Sequence, residues 1–399
     1  MATQLAVACS IRSLNTVRSF GHFGHLSPQR TKEYNGFKRG YNAADFAKLS
    51  VDGDTLTQGL RDLLSWRALT ADTTKGVDYR DALNAILPLA EETKGQIPLT
   101  DIEEVITPEN SVTWRFIRTL VEDGKIPEME QADDAMKASI LFNRVRGFGK
   151  VRALGFAEDG VRTLDELYHF KDGKWPISDA QKLAIEFHED MERTIPRTEM
   201  QEFNVLLKDA FHKADPNLKY TIMGSYRRGE NVSQDVDVVV WHESYPKKEK
   251  DEKRVHKVKP DSMMGKILTS LFNANIVEES KIFSKGPKQV FALARLPNDP
   301  NAVHRQLNIR FCPVQSLPFM LLSGTGDDML YMKMRKRALN KGWMLNDLAL
   351  GERTLDTRSS AVKEGTEVTA DSERDVFEAL GIPYLEPTER SYSKYKNRF

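Results

Sequence analysis

Two aspartates separated by one residue precede an apolar segment near the middle of the chain. Asp235 and Asp237 flank Val236 and lead into the run from Val238 to Val240. Because alternate side chains of a strand point to the same face, the two carboxylates are expected together at the start of one strand. Carboxylate oxygens bind Mg²⁺, and a pair of such ions serves phosphoryl transfer to a sugar hydroxyl. The spacing therefore predicts a metal-dependent phosphoryl-transfer site.

A glycine-rich segment with two arginines precedes this pair. The segment Gly224 to Gly229 reads Gly-Ser-Tyr-Arg-Arg-Gly. A glycine backbone can approach phosphate oxygens, while Ser225 offers a hydroxyl donor and Arg228 a guanidinium. An Asp-x-Asp pair alone is usually a solvated strand edge. Together with this segment and the apolar strand, it favours a site for a nucleoside triphosphate.

The combination resembles the nucleotidyltransferase signature of the family X DNA polymerases of the polymerase beta type. The resemblance runs from Lys137 to Arg390. It includes four further segments: Arg144–Gly149 with Thr163–Leu167, Ile195–Arg197, Ser284–Gly286, and Phe377–Tyr384 with Glu386 and Pro387. The resemblance implies short-gap filling in base-excision repair, by transfer of a deoxynucleotide to a primer 3′-hydroxyl. Implied partners are gapped or nicked duplex DNA and a dNTP, with two Mg²⁺ ions that Mn²⁺ can replace, no membrane and a monomeric chain.

The resemblance also assigns roles to particular residues. Asp235 and Asp237 correspond to metal ligands, and Gly224, Ser225 and Arg228 to groups around the triphosphate. The nucleotide site is completed by Ser323, Gly324, Thr325 and Gly326. The family carries an aromatic-Thr-Gly-Ser turn against the incoming sugar there, and this chain lacks the aromatic pair. Selection between ribose and deoxyribose is therefore expected to differ from that of the family.

The third catalytic position departs from the family pattern. The family has a carboxylate inside an Arg-x-x-Asp-x-Arg context, whereas the segment Arg305 to Arg310 has Asn308 there. An amide cannot accept the proton of a 3′-hydroxyl or help to neutralise a catalytic metal. Weak polymerase chemistry is expected. Two alternatives stay open: a non-catalytic nucleic-acid-binding or assembly protein, and a template-independent nucleotidyltransferase.

Two basic segments are candidates for binding DNA. Gly147 and Gly149 form a Gly-x-Gly hairpin followed by Lys150, with Arg144, Arg146 and Arg152 nearby. Glycines allow backbone N–H groups to approach a phosphate at a helix N-terminus. The alternative is an ordinary connection between helices. The second segment is a basic helix in which Arg335 corresponds to a contact with the template strand, although such faces are often only solvated.

The N-terminal region lacks the family's lyase pattern. Aligning Gly124-Lys125-Ile126 with the similar family tripeptide places Phe116 at the position of the lysine that forms a Schiff base. Lys125 is the nearest alternative amine. Lyase activity is therefore doubtful, because this step needs an activated amine.

Composition limits the remaining possibilities. Lys plus Arg equals Asp plus Glu at 58 each, so any affinity for DNA must come from local basic faces. The segment from Met1 to Lys32 has no acidic residue and contains Arg12, Arg18 and Arg30, which is typical of a mitochondrial transit peptide. The alternative is a disordered tail. Import into the mitochondrial matrix is expected, and two cysteines fit a reducing compartment.

The segment Glu373 to Leu380 is expected to be a helix, and Val236, Val238 and Val240 are expected to alternate along a strand with Asp235, Asp237 and Val239.

We expect a multidomain α/β protein. Its parts are a transit peptide or tail (1–40), a helical lyase-like domain (41–130), a helix-hairpin-helix DNA-binding subdomain (131–200), a nucleotidyltransferase palm with a mixed sheet (201–316), and a small α+β C-terminal subdomain that closes on the nucleotide (317–399).

Overall fold

The computed structural model describes residues 43–70, 76–106, 112–171, 174–244, 258–297, 299, 301–354, 362–395 and 398. The predicted transit peptide or tail lies outside these ranges. The described residues form four consecutive units, each with an apolar core of its own. This arrangement confirms the expected mixed α/β class. None of the described helices combines the length and apolarity needed to cross a membrane.

The N-terminal unit is helical, as the three-and-four spacing of its leucines predicts. Leu56, Leu60 and Leu63 on α2 are fully buried against Ile86 on α3. A short antiparallel strand pair, β1 with β2, was not predicted. The elements are α1 (Ala43–Phe46), β1 (Ser50–Asp52), α2 (Gly53–Thr70), α3 (Gly76–Thr93), β2 (Gln96–Pro98), α4 (Leu99–Val105), α5 (Val112–Asp123) and α6 (Pro127–Gln131).

The second unit contains the predicted helix-hairpin-helix. Gly147 has φ +84°, a backbone conformation that favours glycine, and so reverses the chain between two helices. Thr163 and Ser178 begin later helices with reciprocal capping boxes. The elements are α7 (Asp134–Arg144), α8 (Lys150–Glu158), α9 (Leu164–His169), α10 (Asp179–Glu186) and α11 (His188–Glu192).

The third unit is the predicted palm, built on a five-stranded mixed sheet of order β4-β6-β9-β8-β7. β6 and β9 are parallel, and the other neighbours are antiparallel. The elements are β3 (Ile195–Pro196), α12 (Arg197–Ala214), β4 (Lys219–Ile222), α13 (Gly224–Arg227), β5 (Val232–Ser233), β6 (Val236–Trp241), α14 (Met263–Asn273), β7 (Val277–Lys285), β8 (Gln289–Ala294) and β9 (Arg305–Phe311).

The expected boundary at residue 200 falls inside α12. Met200 is buried in the core of the palm together with Ile195, which precedes the helix. The palm therefore starts several residues before the expected boundary, because α12 packs on the sheet along its length.

The fourth unit is the predicted α+β C-terminal subdomain. Its helix α17 has the bounds expected from the sequence, and a β10–β11 hairpin packs beside α16. The elements are α15 (Leu317–Thr325), α16 (Asp328–Asn340), β10 (Trp343–Leu345), β11 (Leu350–Glu352), α17 (Glu373–Leu380) and α18 (Tyr392–Tyr395), with 3-10 turns at Val314–Ser316 and Pro387–Glu389.

A buried ion network ties this subdomain to the palm. Glu373 accepts hydrogen bonds from Arg227 on α13, at 3.1 and 2.6 Å, and from the fully buried Arg390. Burial opposes ionisation of Glu373, but the hydrogen bond from Arg227 and the two positive charges outweigh it and hold its pKa below the ordinary 4.5. The stability that this carboxylate contributes is present above pH 4.5 and is lost as the pH falls through the lowered pKa.

We predict that Glu373→Gln lowers the free energy of unfolding by about 3 kcal/mol, since it leaves the buried Arg390 and the partly buried Arg227 without their charge partner. The matched control is Glu352→Gln, which removes the same charge from an exposed pair with Lys363 at 3.2 Å. That control should cost less than about 1 kcal/mol. Chemical denaturation at neutral pH measures both. Equal losses in the two variants would contradict the prediction.

Candidate active site

The two predicted carboxylates lie at the start of the central strand of the palm. Asp235 directly precedes β6, and Asp237 is its second residue. Val236, Val238 and Val240 of the same strand belong to the core under α12 and α14, so the aspartates point to the opposite face. The structure thus brings the two carboxylates together as predicted.

Burial changes the acidity of both groups. Burial and repulsion from Asp237 raise the pKa of Asp235 to about 7, against the opposing charges of Arg146 and Arg310. Burial also raises the pKa of Asp237, while a hydrogen bond from Asn308 opposes the rise. Two like charges in a poorly solvated place resist joint ionisation, and a bound cation would remove that resistance.

Asn308 lies beside the pair, at the position where the resemblance implies a third carboxylate. Parallel pairing of β6 and β9 places it directly opposite Asp237. Its Nδ2 donates to Asp237 Oδ1 at 2.8 Å, and its Oδ1 accepts from Gln289 Nε2 at 3.1 Å. An ionised carboxylate only accepts hydrogen bonds, so the amide must turn its hydrogens towards Asp237. The Asn308 oxygen is therefore directed at Gln289.

One cavity of about 470 Å³ lies on the nucleotide side of the carboxylates. Its lining includes Asp235, Asp237, Gly224, Ser225 and Arg228. Gly224 has φ +62°, which favours glycine at the start of the short helix α13. Arg228 donates from Nη1 to the Thr325 carbonyl oxygen at 2.6 Å, and Ser225 Oγ donates to Ser233 Oγ at 2.8 Å. The predicted phosphate-binding groups therefore share one cavity with the predicted metal ligands.

The Ser323 to Gly326 segment differs from the expected turn. Ser323, Gly324 and Thr325 are the last residues of α15, and Gly326 ends the helix with φ +69°. Ser323 Oγ donates to the Met320 carbonyl oxygen, and Thr325 is fully buried. Gly324 borders the nucleotide-side cavity. The expectation that all four residues face a nucleotide is thus wrong for the Thr325 side chain, because helical geometry turns it into the interior.

The side chain of Arg227 is a structural link that sequence reasoning missed. The two adjacent arginines of the glycine-rich segment do different things: Arg228 faces the cavity, whereas Arg227 donates to Thr325 Oγ1 and forms a bidentate pair with Glu373. Two adjacent helical residues point about 100° apart, so they cannot share one partner. This difference in direction is the signal that could have separated them.

The N-terminal unit forms part of the cavity wall, which the sequence did not reveal. Arg67 on α2 and Arg80 on α3 line the same cavity as the two aspartates. Arg80 also forms an ion pair with Asp328 of the C-terminal subdomain at 3.7 Å. Contacts between distant segments of a chain carry no local pattern, so spacing alone could not predict them.

The proposed lyase position is buried. Phe116 is 5% exposed and packs edge-on against Tyr79. Lys125, the alternative amine, forms an exposed ion pair with Glu130 at 3.1 Å. Phe116 therefore belongs to the apolar core of the N-terminal unit.

Only some of the basic residues in and around the hairpin are exposed to solvent. Gly147, Gly149 and Lys150 are exposed, and Gly149 begins α8 without a capping side chain, so N–H groups of the first turn face outward. Arg144 instead turns inward, where it donates to Asp62 Oδ1 at 2.6 Å and pairs with Glu192. Including Arg144 in a DNA-facing cluster was wrong, because α2 and α11 supply its partners.

Arg335 is exposed on α16 and is not among the residues that line the nucleotide-side cavity.

The metal-binding potential of the site rests on Asp235 and Asp237. Among the described residues, no group of three or more His, Cys, Asp and Glu side chains is placed to hold one ion. Two carboxylates fit a Mg²⁺ ion that takes its remaining oxygens from substrate phosphates and water.

Comparison with known proteins matches two parts of the chain. Residues 194–314 match the family described as DNA polymerase beta palm, and residues 320–391 match DNA polymerase beta thumb. The chain is 30% identical to DNA polymerase lambda of Arabidopsis thaliana over 286 residues, which cover 69% of this chain and 51% of that protein.

Two animal proteins are similar at lower identity. DNA polymerase lambda of Rattus norvegicus is 24% identical over 84% of this chain and 56% of its own length. DNA-directed DNA/RNA polymerase mu of Homo sapiens is 24% identical over 69% of this chain and 57% of its own length. The chain spans about half the length of these relatives. With the carboxylate pair on its palm strand, these matches show that the chain carries a palm and a thumb of the DNA polymerase beta kind.

Proposed function

We propose that this protein is a DNA-directed DNA polymerase that fills short gaps during base-excision repair. The observation that carries the proposal is the shared cavity in which Asp235 and Asp237 face Gly224, Ser225 and Arg228. Two carboxylates and a guanidinium that line one cavity suit a triphosphate that is bound through both metal and cation. The named activities of the relatives agree with this reading.

Within this proposal, Asp235 and Asp237 hold Mg²⁺, which neutralises the negative charge of the triphosphate. Arg228 binds phosphate oxygens directly. Its Nη1 is held by the Thr325 carbonyl oxygen, and the side chain lines the cavity that contains the carboxylates. A guanidinium that is fixed at one nitrogen is suited to orient a phosphate.

DNA is bound at the hairpin and at α16. The exposed N–H groups at the start of α8 and the Lys150 ammonium suit a phosphate of the duplex. Arg335, exposed on α16, suits the template strand. The substrate is gapped or nicked duplex DNA together with a dNTP, and the chain acts as a monomer.

A second function is favoured by the contacts of Asn308. Its oxygen accepts from Gln289 and its nitrogen donates to Asp237, so the site lacks a third anionic ligand at this position. A protein that binds gapped DNA without turnover would have this arrangement. Primer extension on gapped DNA separates the two functions: incorporation with Mg²⁺ or Mn²⁺ supports the polymerase, and binding without incorporation supports the non-catalytic alternative.

We predict that Asp235→Asn abolishes primer extension, lowering its rate by on the order of 10³ or more, while stabilising the metal-free protein by about 1 to 2 kcal/mol near neutral pH. The pKa of Asp235 is raised from 3.8 to about 7, so ionisation costs stability as the pH rises through that range. Removal of one like charge relieves this cost. The exposed Asp209→Asn on α12 should change neither quantity. A destabilised Asp235→Asn protein would contradict this account.

We predict that Gly149→Ala weakens binding of gapped DNA about tenfold, because a methyl group separates the α8 N-terminus from a phosphate. An added Cβ at Gly149 meets no atom within 4 Å, so the fold should persist. Gly95→Ala, in the N-terminal unit, is the matched control, since its added Cβ meets one atom at 4.0 Å. Fluorescence anisotropy with labelled gapped duplex measures both variants. Unchanged affinity in Gly149→Ala would remove the hairpin from the binding surface.

The protein acts in the mitochondrial matrix, as the composition of residues 1–40 indicates. We predict that these residues carry a fluorescent reporter into mitochondria. Replacing Arg12 and Arg18 by Glu should leave the reporter in the cytosol, because import favours basic, acid-poor segments. A reporter that stays cytosolic with the unchanged segment would overturn this assignment.

A further inference from the structure

A second cavity lies on the other side of the carboxylate pair. It has a volume of about 210 Å³ and is lined by Arg146 and Arg310 together with Asp235, Asp237 and Asn308. The carboxylates thus border two cavities, one facing Arg228 and one facing the hairpin between α7 and α8. A second metal ion that contacts Asp235, Asp237 and the Asn308 position together would bind in this hairpin-side cavity, because these three residues line it.

Arg146 is held firmly in this cavity. Its Nη1 donates to Gln306 Oε1 at 2.9 Å. The guanidinium carbon lies 4.4 Å from the ring centre of Phe291 and 5.3 Å from that of Phe283. Stacking on two rings and a hydrogen bond fix the direction of this long side chain. It therefore loses less conformational entropy when it forms a further interaction.

Even partial burial of this cation needs an electrostatic reason. Burial lowers the pKa of Arg146, whereas the negative charges of Asp235 and Asp237 raise it. Gln306 and the aromatic rings carry no net charge. The carboxylate pair is therefore the counter-charge that makes a guanidinium tolerable in this place.

The ligands present fit one divalent ion and do not fit two. Asn308 contributes no negative charge, and its oxygen is taken up by Gln289. A second divalent ion in the hairpin-side cavity would stand beside Arg146 and Arg310, with only Asp235 and Asp237 to offset it. Like charges at close range in a partly buried site repel strongly.

We propose that Arg146 supplies a fixed positive charge in place of a second divalent ion, so that the Asp235–Asp237 pair binds one metal where two were expected. The inference rests on the proposed function, because it concerns the cation content of that same site. Arg146 acts here as a positioning residue: it balances the carboxylates and keeps the hairpin-side cavity positive. Arg146 belongs to the hairpin that is proposed to bind DNA. One segment therefore affects both the binding of DNA and the charge balance at the carboxylates.

The test counts Mn²⁺ ions bound to the full-length chain. Electron paramagnetic resonance measures free Mn²⁺ during titration of a complex with gapped DNA, a dideoxy-terminated primer and a non-hydrolysable dNTP. The natural chain should bind one Mn²⁺ at the site. The double variant Arg146→Gln, Asn308→Asp should bind two, with the affinity for the second ion raised at least about tenfold by the exchange of a positive for a negative neighbour.

Two further variants separate charge from shape. Arg146→Lys keeps the charge without the planar stack and should still bind one ion. Arg295→Gln, which removes an arginine paired with Glu278 after β8, should leave the count unchanged. Thermal unfolding of each variant checks that the fold is kept. Two equally tight ions in the natural chain, or an unchanged count in the double variant, would overturn the proposal.

The outcome is independent of whether the polymerase proposal succeeds. One bound Mn²⁺ with no primer extension by the natural chain would refute the proposed activity and keep the inference about Arg146. Primer extension with two bound ions would keep the activity and refute the inference. In the double variant, binding of two ions should make the rate of incorporation depend on the square of the Mn²⁺ concentration at low metal. In the natural chain, the rate should depend on the first power of that concentration.

Discussion

Parallel pairing of β6 with β9 sets the geometry of the whole site. It places Asp237 opposite Asn308 and fixes which face of the sheet carries the carboxylates. A slip of one residue would turn Asp237 into the core beneath α12 and α14, because the side-chain period of a strand is two. Val236 and Val238 prevent the slip by packing on that side, and Val239 packs on the other side near Met320 of α15. Packing of apolar side chains thus sets the positions of the charged ones.

This arrangement keeps two like charges close together and poorly solvated, which costs stability in the absence of a cation. Arginines from three different segments surround the pair: Arg228 directly after α13, Arg310 from β9 and Arg146 from the hairpin. Arg228 and Arg146 are each held by a hydrogen bond to a group outside the pair, so these two positive charges hold their positions before any substrate arrives. Preorganised charge of this kind needs little rearrangement when a polyanion binds.

Much of this could be predicted from local pattern. The carboxylate pair, the glycine-rich segment and the bounds of α17 follow from spacing and periodicity, which are properties of short segments. The direction of Arg144, Arg146 and Arg227 could not be predicted, because their partners lie on segments distant in sequence. A basic segment predicts an exposed surface. In the folded chain, carboxylates, an amide and aromatic rings from distant segments bind these arginines and turn them inward. Val239 was expected on the face opposite to the buried valines. It is buried there as well, because α15 covers that face.

Gly324 has a consequence for how this chain can change over time. A Cβ at this position would lie 2.3 Å from Met223 Sδ, and Met223 is itself buried among Val239, Cys312 and Met320. Any larger residue at 324 must therefore displace the thioether, which has little room to move in a close-packed interior. The two positions are therefore coupled: an aromatic side chain at 324 requires the Met223 side chain to move or to be replaced by a smaller one.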